Sequence, residues 1–385
     1  MVDPRLIILQ PTSYCNINCS YCYLNHRDDK RLMSQEVVEA LRDKIFCRLP
    51  RQSAPIVVWH AGEPTTAPIG WYEHAYGRLL DVAPAQTSFA MQSNGIAINE
   101  RWIELFRRTN TNVSLSIDGP QRFHDARRRT RNDKPTWQLA VRALKRLQGA
   151  GFDPSVITVL HPQGLECPED YYAFYRDHRI TQVSFSVDEL EGANRISSFA
   201  SRDFKPAITA FLVAMLEQAY RDSFPLHIRE VERIAQKLAG VELSENEQVE
   251  AWAAIVVAAD GKVSTFSPEF MEVKAREYED FVFGNILEGD LATFAKTEVF
   301  QRCSRDVTSG VAACRSSCHY FGVCGGGSPV NKFSERNDLR ATETEFCRLT
   351  TQTCADALLA FIDLRANAKP SFERAVLEPE VGVGL

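Results

Sequence analysis

The chain has 385 residues, 44% hydrophobic and 24% charged, with a formal net charge of −6. That composition supports a sizeable core and excludes a disordered chain; the acidic balance excludes the broad basic face that nucleic-acid binding requires. Leu6-Ile7-Ile8-Leu9 is too short for a signal-peptide core or a membrane span, so a cytoplasmic protein with no membrane partner is expected.

In chain order, short apolar runs predict strands over Leu6–Gln10, Ile56–His60, Ser88–Gln92, Val113–Ile117, Val156–Leu160 and Val183–Val187. Helical spacing between them predicts helices over Ser34–Leu49, Ile98–Arg108 and Thr136–Ala150, with Ser34 as an N-cap and Gly149/Gly151 as a stop. Six βα units in series imply an α/β fold with a parallel sheet. Right-handed crossovers wind it into a partial (β/α)6 TIM-like barrel, because a complete eight-unit barrel needs about 250 residues. The barrel is expected over residues 1–222 and a bridging helical segment over 223–250, since Phe204–Leu238 reads as two helices. A cysteine-rich domain follows over 251–365. Residues 366–385, with Pro370, Pro379, Gly382 and Gly384, read as a flexible tail.

Eleven cysteines are unevenly spread. An odd count in a chain without a secretory pattern makes a disulfide framework a poor explanation, and clustering favours metal or iron–sulfur ligation. Cys47 and Cys167 stand alone and read as buried small hydrophobes. Cys15, Cys19 and Cys22 form C-x3-C-x2-C directly after the first strand. Three thiolates on one loop can hold three corners of a [4Fe–4S] cubane and leave the fourth iron open for chemistry. A zinc loop with a distant fourth ligand is the plainer alternative. The loop's place at a C-terminal strand end, where barrel active sites lie, argues against it.

With Tyr21 ahead of its third cysteine, this loop resembles the radical S-adenosylmethionine (SAM) enzymes. The resemblance implies that SAM chelates the open iron through its amine and carboxylate, and that its cleavage yields a 5′-deoxyadenosyl radical. Ala61-Gly62-Glu63-Pro64 resembles the family's G-G-E-P motif, with alanine at the first glycine, and implies contacts to the SAM amino group through Gly62, Glu63 and Pro64. Gln92-Ser93-Asn94-Gly95 resembles the next strand-end motif. Ser116-Ile117-Asp118-Gly119-Pro120 with Arg128 resembles the segment that serves the SAM ribose and carboxylate. Taken singly, Asp-Gly-Pro is also an ordinary turn and Arg127–Arg129 an ordinary solvated charge run.

Cys314-x3-Cys318-x5-Cys324-x22-Cys347 supplies four thiolates, enough to close a second [4Fe–4S] site, although spacing alone also admits zinc. With Gly325-Gly326-Gly327 beside it and Gly284-Asn285-Ile286 upstream, the segment resembles the SPASM/twitch-type extension of radical SAM peptide maturases. Such extensions commonly carry two auxiliary clusters. Here Phe266-Ser267-Pro268-Glu269 and Ser328 stand where cysteines are usual, so one auxiliary cluster is expected, with Cys303 and Cys354 as free thiols.

Phe266–Glu269, Tyr320–Gly327 and Thr342-Glu343-Thr344 together resemble the cyclophane-forming maturases of glycine-rich-repeat precursors. This implies a bond between an aromatic ring and the β-carbon of a nearby residue of a ribosomal precursor peptide, leader plus core, with flavodoxin or ferredoxin as reductant. Glu269 and Asp118 are the candidate bases for the ring proton. Fourteen residues precede Cys15, too few for a leader-binding module, so the leader is expected to dock at the junction of barrel and extension as an added strand. Sulfatase-type maturation to formylglycine is the alternative chemistry. A non-catalytic zinc protein is the alternative class.

Overall fold

The computed structural model describes residues 2–241 and 246–367. Its first six strands are β1 (Leu6–Leu9), β2 (Ile56–Trp59), β3 (Ser88–Ser93), β4 (Thr111–Ser116), β5 (Ser155–Val159) and β6 (Gln182–Ser186). All are parallel, each beside the next. Helices over Gln35–Lys44, Ile69–Leu80, Glu100–Thr109, Trp137–Gly149 and Pro168–Asp177 intervene, so the expected α/β partial barrel is the observed fold. Ser34 caps its helix through Val37 N, and Asn99 caps the third through Arg101 N and Trp102 N. The first helix is shorter than its apolar spacing suggests: it ends at Lys44, and Phe46–Arg48 is a 3-10 turn.

The sheet does not stop at six strands. It has ten, in the order β10-β9-β8-β1-β2-β3-β4-β5-β6-β7. β7 (His227–Ile228) extends the β6 edge between helices Lys205–Arg221 and Arg229–Leu238. The expected bridge therefore carries a strand of the barrel sheet as well as a helix. At the other edge β8 (Ala254–Val257) lies parallel to β1, and β9 (Lys262–Thr265) and β10 (Gly284–Asn285) turn back antiparallel. All four residues of β8 are buried, as are Ile7 to Leu9 of β1, the pattern of a sheet covered on both faces. The cysteine-rich part thus grows from the same sheet as the barrel.

The chain closes with helices Glu298–Ser317, Pro329–Arg336 and Thr353–Asn367, the last packed on Lys205–Arg221. Ala366 and Asn367 belong to that last helix; the rest of the expected tail, 368–385, lies outside the described residues, as do 242–245 of the bridge. Among the described residues no helix is long and apolar enough to cross a membrane. Cys47 is exposed and Cys167 half-buried, which corrects their assignment to the core: Cys47 lies in the 3-10 turn Phe46–Arg48 and Cys167 at the N-cap of Pro168–Asp177.

Candidate active site

The C-terminal ends of β1 to β6 surround a cavity of about 290 Å³. Cys15, Cys19, Cys22 and Tyr21 line it from the loop after β1, and Gly62 and Glu63 from the turn after β2. Ser93, Asn94, Ser116 and Arg128 close further sides, and Glu269 reaches in from beyond β9. Pro64 does not face the cavity; it starts a 3-10 turn, with its carbonyl accepting from Tyr72 Oη at 3.0 Å.

The cysteine loop is pinned by two neighbours. From one side Ala61 and Gly62 both adopt left-handed backbone, with φ of 68° and 54°, and Glu63 N donates to Tyr14 O at 2.8 Å. From the other side, Asn18 N donates to Arg129 O at 2.7 Å, Ser20 N to Arg127 O at 3.0 Å, and Arg131 Nε to Cys15 O at 2.7 Å. The arginine run is therefore a brace for the cysteine loop, and Arg127 and Arg128 are buried at 7% exposure.

Glu63, 1% exposed, accepts from Thr65 N (3.0 Å), Thr65 Oγ1 (2.5 Å), Ser93 Oγ (2.7 Å) and Asn94 N (2.7 Å). It thus ties the β2 turn to the end of β3. Burial raises its carboxyl above the usual range, and those four donors pull it back. Asn94 Nδ2 donates to Asn16 Oδ1 at 2.7 Å inside the cysteine loop, and Gln92 Nε2 donates to Ser116 Oγ at 2.8 Å.

Asp118 is fully buried outside the cavity lining. It accepts from Tyr21 Oη at 2.8 Å, Val159 N at 3.2 Å and Arg127 Nη2 at 3.4 Å, with Arg128 Nη1 3.9 Å away. Its oxygens are taken up by these donors, an arrangement that braces Tyr21 and Arg128 from behind. Asp118→Asn is expected to cost about 3–5 kcal/mol of apoprotein stability in thermal unfolding, because two buried guanidiniums lose their counter-charge.

The sequence reading missed two carboxylates. Glu189 and Glu191, directly after β6, line the cavity together with Glu269. Asn331 Nδ2 donates to Glu189 Oε2 at 2.7 Å and to Glu191 Oε1 at 2.8 Å, and Ser267 Oγ donates to Glu269 Oε2. Burial raises all three: Glu189 to about 7 and Glu191 well above the usual range, both pushed further by the neighbouring carboxylates, and Glu269 upward by burial against the hydrogen bond from Ser267. The available signal was position, an acidic Asp188-Glu189-Leu190-Glu191 run at a barrel strand end.

A second cavity, of about 310 Å³, is lined by Cys314, Cys318, Cys324 and Cys347 with Gly326, Gly327, Ser328 and Lys332. Backbone N–H groups of Gly326 and Gly327 serve Cys324, and Thr344 N lies 3.3 Å from Cys347 Sγ. Cys303 and Cys354 are buried outside both cavities. Phe266 is packed into the core at 1% exposure.

Both cysteine sets have the chemistry of cluster ligands. Cys15, Cys19 and Cys22 line the first cavity and Cys314, Cys318, Cys324 and Cys347 line the second. In the first cavity Tyr23 Oη, His60 Nδ1 and Arg128 Nε are buried with no partner among the described residues. An open-sided cluster with a polar, zwitterionic ligand on it fits that lining. Burial pushes the free thiols of Cys15 and Cys19 up to about 12 and about 11, so ligation must displace protons and is favoured at higher pH.

The radical SAM superfamily model matches residues 9–175. Over 366 residues the chain is 34% identical to an uncharacterized protein of Synechocystis, sll1766, covering 93% of this chain and 92% of that one. It is 30% identical over 193 residues to a serine-type anaerobic sulfatase-maturating enzyme of Bacteroides thetaiotaomicron, covering 48% of this chain and 46% of that enzyme. In fold it is similar to anSMEcpe with bound AdoMet and Cp18Cys peptide, with a TM-score of 0.75 at 19% identity, covering 95% of this chain and all of that one. It is also similar to Streptococcus suis SuiB bound to its precursor peptide SuiA, with a TM-score of 0.61 at 16% identity, covering 90% and 76%.

Proposed function

The chain belongs to the radical SAM superfamily, and from that premise we propose that it crosslinks a ribosomal precursor peptide by cyclophane formation. A [4Fe–4S] cluster and SAM are its cofactors. Cys15, Cys19 and Cys22 hold the cluster; Gly62, Glu63, Ser93, Asn94, Ser116 and Arg128 form the SAM-side wall. When bound, the pair supplies a 5′-deoxyadenosyl radical that removes a hydrogen atom from the substrate β-carbon.

The chain's own residues do the rest. Tyr21, held between Arg128 and Asp118, fixes the cysteine loop against the barrel. Glu269, with Glu189 beside it, takes the ring proton after the carbon–carbon bond forms. Cys314, Cys318, Cys324 and Cys347 hold an auxiliary [4Fe–4S] cluster, which supplies the acceptor for the remaining electron. The product therefore lacks two hydrogens, one lost as an atom and one as a proton plus an electron. A flavodoxin or ferredoxin reduces the first cluster.

The observation that carries this reading is the acidic wall of the first cavity. Glu269 enters it two residues after Ser267, while the neighbouring Phe266 fills core where an auxiliary-cluster cysteine is usual. The proposed base thus flanks the position at which that cysteine is usual. A peptide is the proposed substrate class because anSMEcpe and SuiB, which share the fold, are described with bound peptides. Sulfatase-type maturation is less favoured: the identity to the Bacteroides enzyme spans less than half of either chain.

Anaerobic purification should yield a brown protein with about eight irons, two cubanes; colourless protein with stoichiometric zinc would end the reading. Replacing Cys15, Cys19 and Cys22 by Ala should remove about half the iron and abolish SAM cleavage. Cleavage that survives the triple change would refute the radical mechanism. Co-expression with small peptides encoded beside the gene should give products lighter by two hydrogens per crosslink.

A further inference from the structure

The helix Pro329–Arg336 lines the second cavity through Lys332 and reaches two carboxylates of the first through Asn331. Asn331 holds Glu189 and Glu191 in the first. The next residue, Lys332, is 2% exposed and donates from Nζ to Cys314 Sγ at 3.4 Å in the second. One turn earlier Ser328, 7% exposed, lines that same cavity, and its hydroxyl has no partner among the described residues.

A buried ammonium is costly unless a negative charge faces it. Among the described residues the lysine–carboxylate pairs are those of Lys205, Lys262 and Lys274; Lys332 is in none. Its Nζ is directed instead at the sulfur of Cys314, which would carry negative charge as a cluster ligand. The fold also makes room for it: a Cβ at Gly310 would stand 3.1 Å from Lys332 Nζ and 2.3 Å from Leu339 O. Gly326 and Gly327 amides, Thr344 N and Gln352 Nε2 also approach the thiols, but Lys332 alone among these donors brings a full charge.

We propose that Lys332, assisted by Ser328, sets the reduction potential of the auxiliary cluster and holds it high enough to accept the substrate's electron. The inference rests on the reading that Cys314, Cys318, Cys324 and Cys347 hold a [4Fe–4S] cluster. Reduction adds one negative charge to that cluster. A fixed ammonium at hydrogen-bond range favours the reduced form, and donors to the sulfurs act in the same direction. Lys332 is thus a positioning residue for charge. Asn331, adjacent in sequence, positions the groups that receive the proton, so one helix places both halves of what the substrate must lose.

The test is a potentiometric titration of the anaerobic holoenzyme followed by electron paramagnetic resonance. The front cluster is identified by its response to S-adenosylhomocysteine. Lys332→Met should lower the auxiliary midpoint by the equivalent of tenfold or more in the reduction equilibrium, 59 mV for one electron. Lys332→Arg should stay near the parent and Lys332→Gln fall between. Ser328→Ala should shift the midpoint downward by less, and the front cluster should not move. If Lys332→Met sheds its auxiliary irons, the Arg and Gln variants decide the question by the same ordering. Equal midpoints in Arg, Gln and parent proteins that all keep about eight irons would overturn the proposal. A parent with only about four irons would instead overturn the underlying cluster reading, a result told apart by the iron count alone.

Discussion

Gly62→Ala is expected to abolish binding of the front cluster, and SAM cleavage with it. A Cβ at that position would lie 2.5 Å from Tyr14 O, 2.7 Å from Ser13 C and 2.7 Å from Thr12 O. All three are backbone atoms of the segment leading into Cys15, so no side chain can swing aside. The left-handed φ of 54° at Gly62 adds strain. Overpacking costs on the order of 1–3 kcal/mol, but the larger effect is geometric: the first thiol must move away from the other two. Iron should fall by about half, with the auxiliary site retained. Ala61→Gly is the control. Ala61 sits at φ 68° and bears about 1–2 kcal/mol of left-handed strain, partly offset by the entropy a glycine adds to the unfolded chain. That variant should keep its iron and be at least as stable in thermal unfolding. Full iron content and SAM cleavage in Gly62→Ala would show that the two turns are not in rigid contact.

These two turns also show where sequence reading succeeds. β1 to β6 are short apolar runs ended by polar turns, and each pairs with its neighbour in sequence, so their order and positions were readable locally. β7 has two residues, too few for any periodicity. β8 was hidden differently: its partner β1 lies about 250 residues upstream, and only the closed sheet brings them together. The cysteine sets are mostly sequence-local and legible. Arg127–Arg129 could also be read as an ordinary solvated charge run because nothing local reveals that the cysteine loop lies against it. Glu189 and Glu191 owe their environments to the packing of the Pro329–Arg336 helix against the loop after β6, a contact across about 140 residues, and Lys332 owes its own to the helix Glu298–Ser317, which brings Gly310 and Cys314 against it. Asp118 shows the converse: its carboxylate stands in a legible motif, but its partners Tyr21, Arg127 and Val159 N are visible only in the fold.

Glu269→Gln should lower crosslinked product by about 10²- to 10⁴-fold, the usual contribution of a positioned base, while SAM cleavage continues. The readout is the ratio of product to 5′-deoxyadenosine, which a folding defect would leave unchanged. The pH dependence sharpens the test. Burial raises Glu269, the proposed base, above the usual carboxylate range, and Glu189 and Glu191 beside it are raised as well, so the base keeps its proton further up in pH than an ordinary carboxylate and the product ratio should rise with pH. Stability must run the other way. A carboxyl whose folded value exceeds its unfolded value of 4.5 keeps its proton in the folded chain after the unfolded chain has released it. Its stabilising contribution is therefore complete below about 4.5 and lost as pH rises toward 7, on the order of 3 kcal/mol at most for Glu189. Apoprotein unfolding should show that downward slope, and Glu189→Gln should flatten it. Activity that falls at acid pH, where these carboxyls stabilise the fold most, cannot be assigned to their loss from the fold. A product ratio that is flat between pH 5 and 8 in a folded, iron-replete enzyme would remove the base from this wall and require another proton acceptor in the cavity.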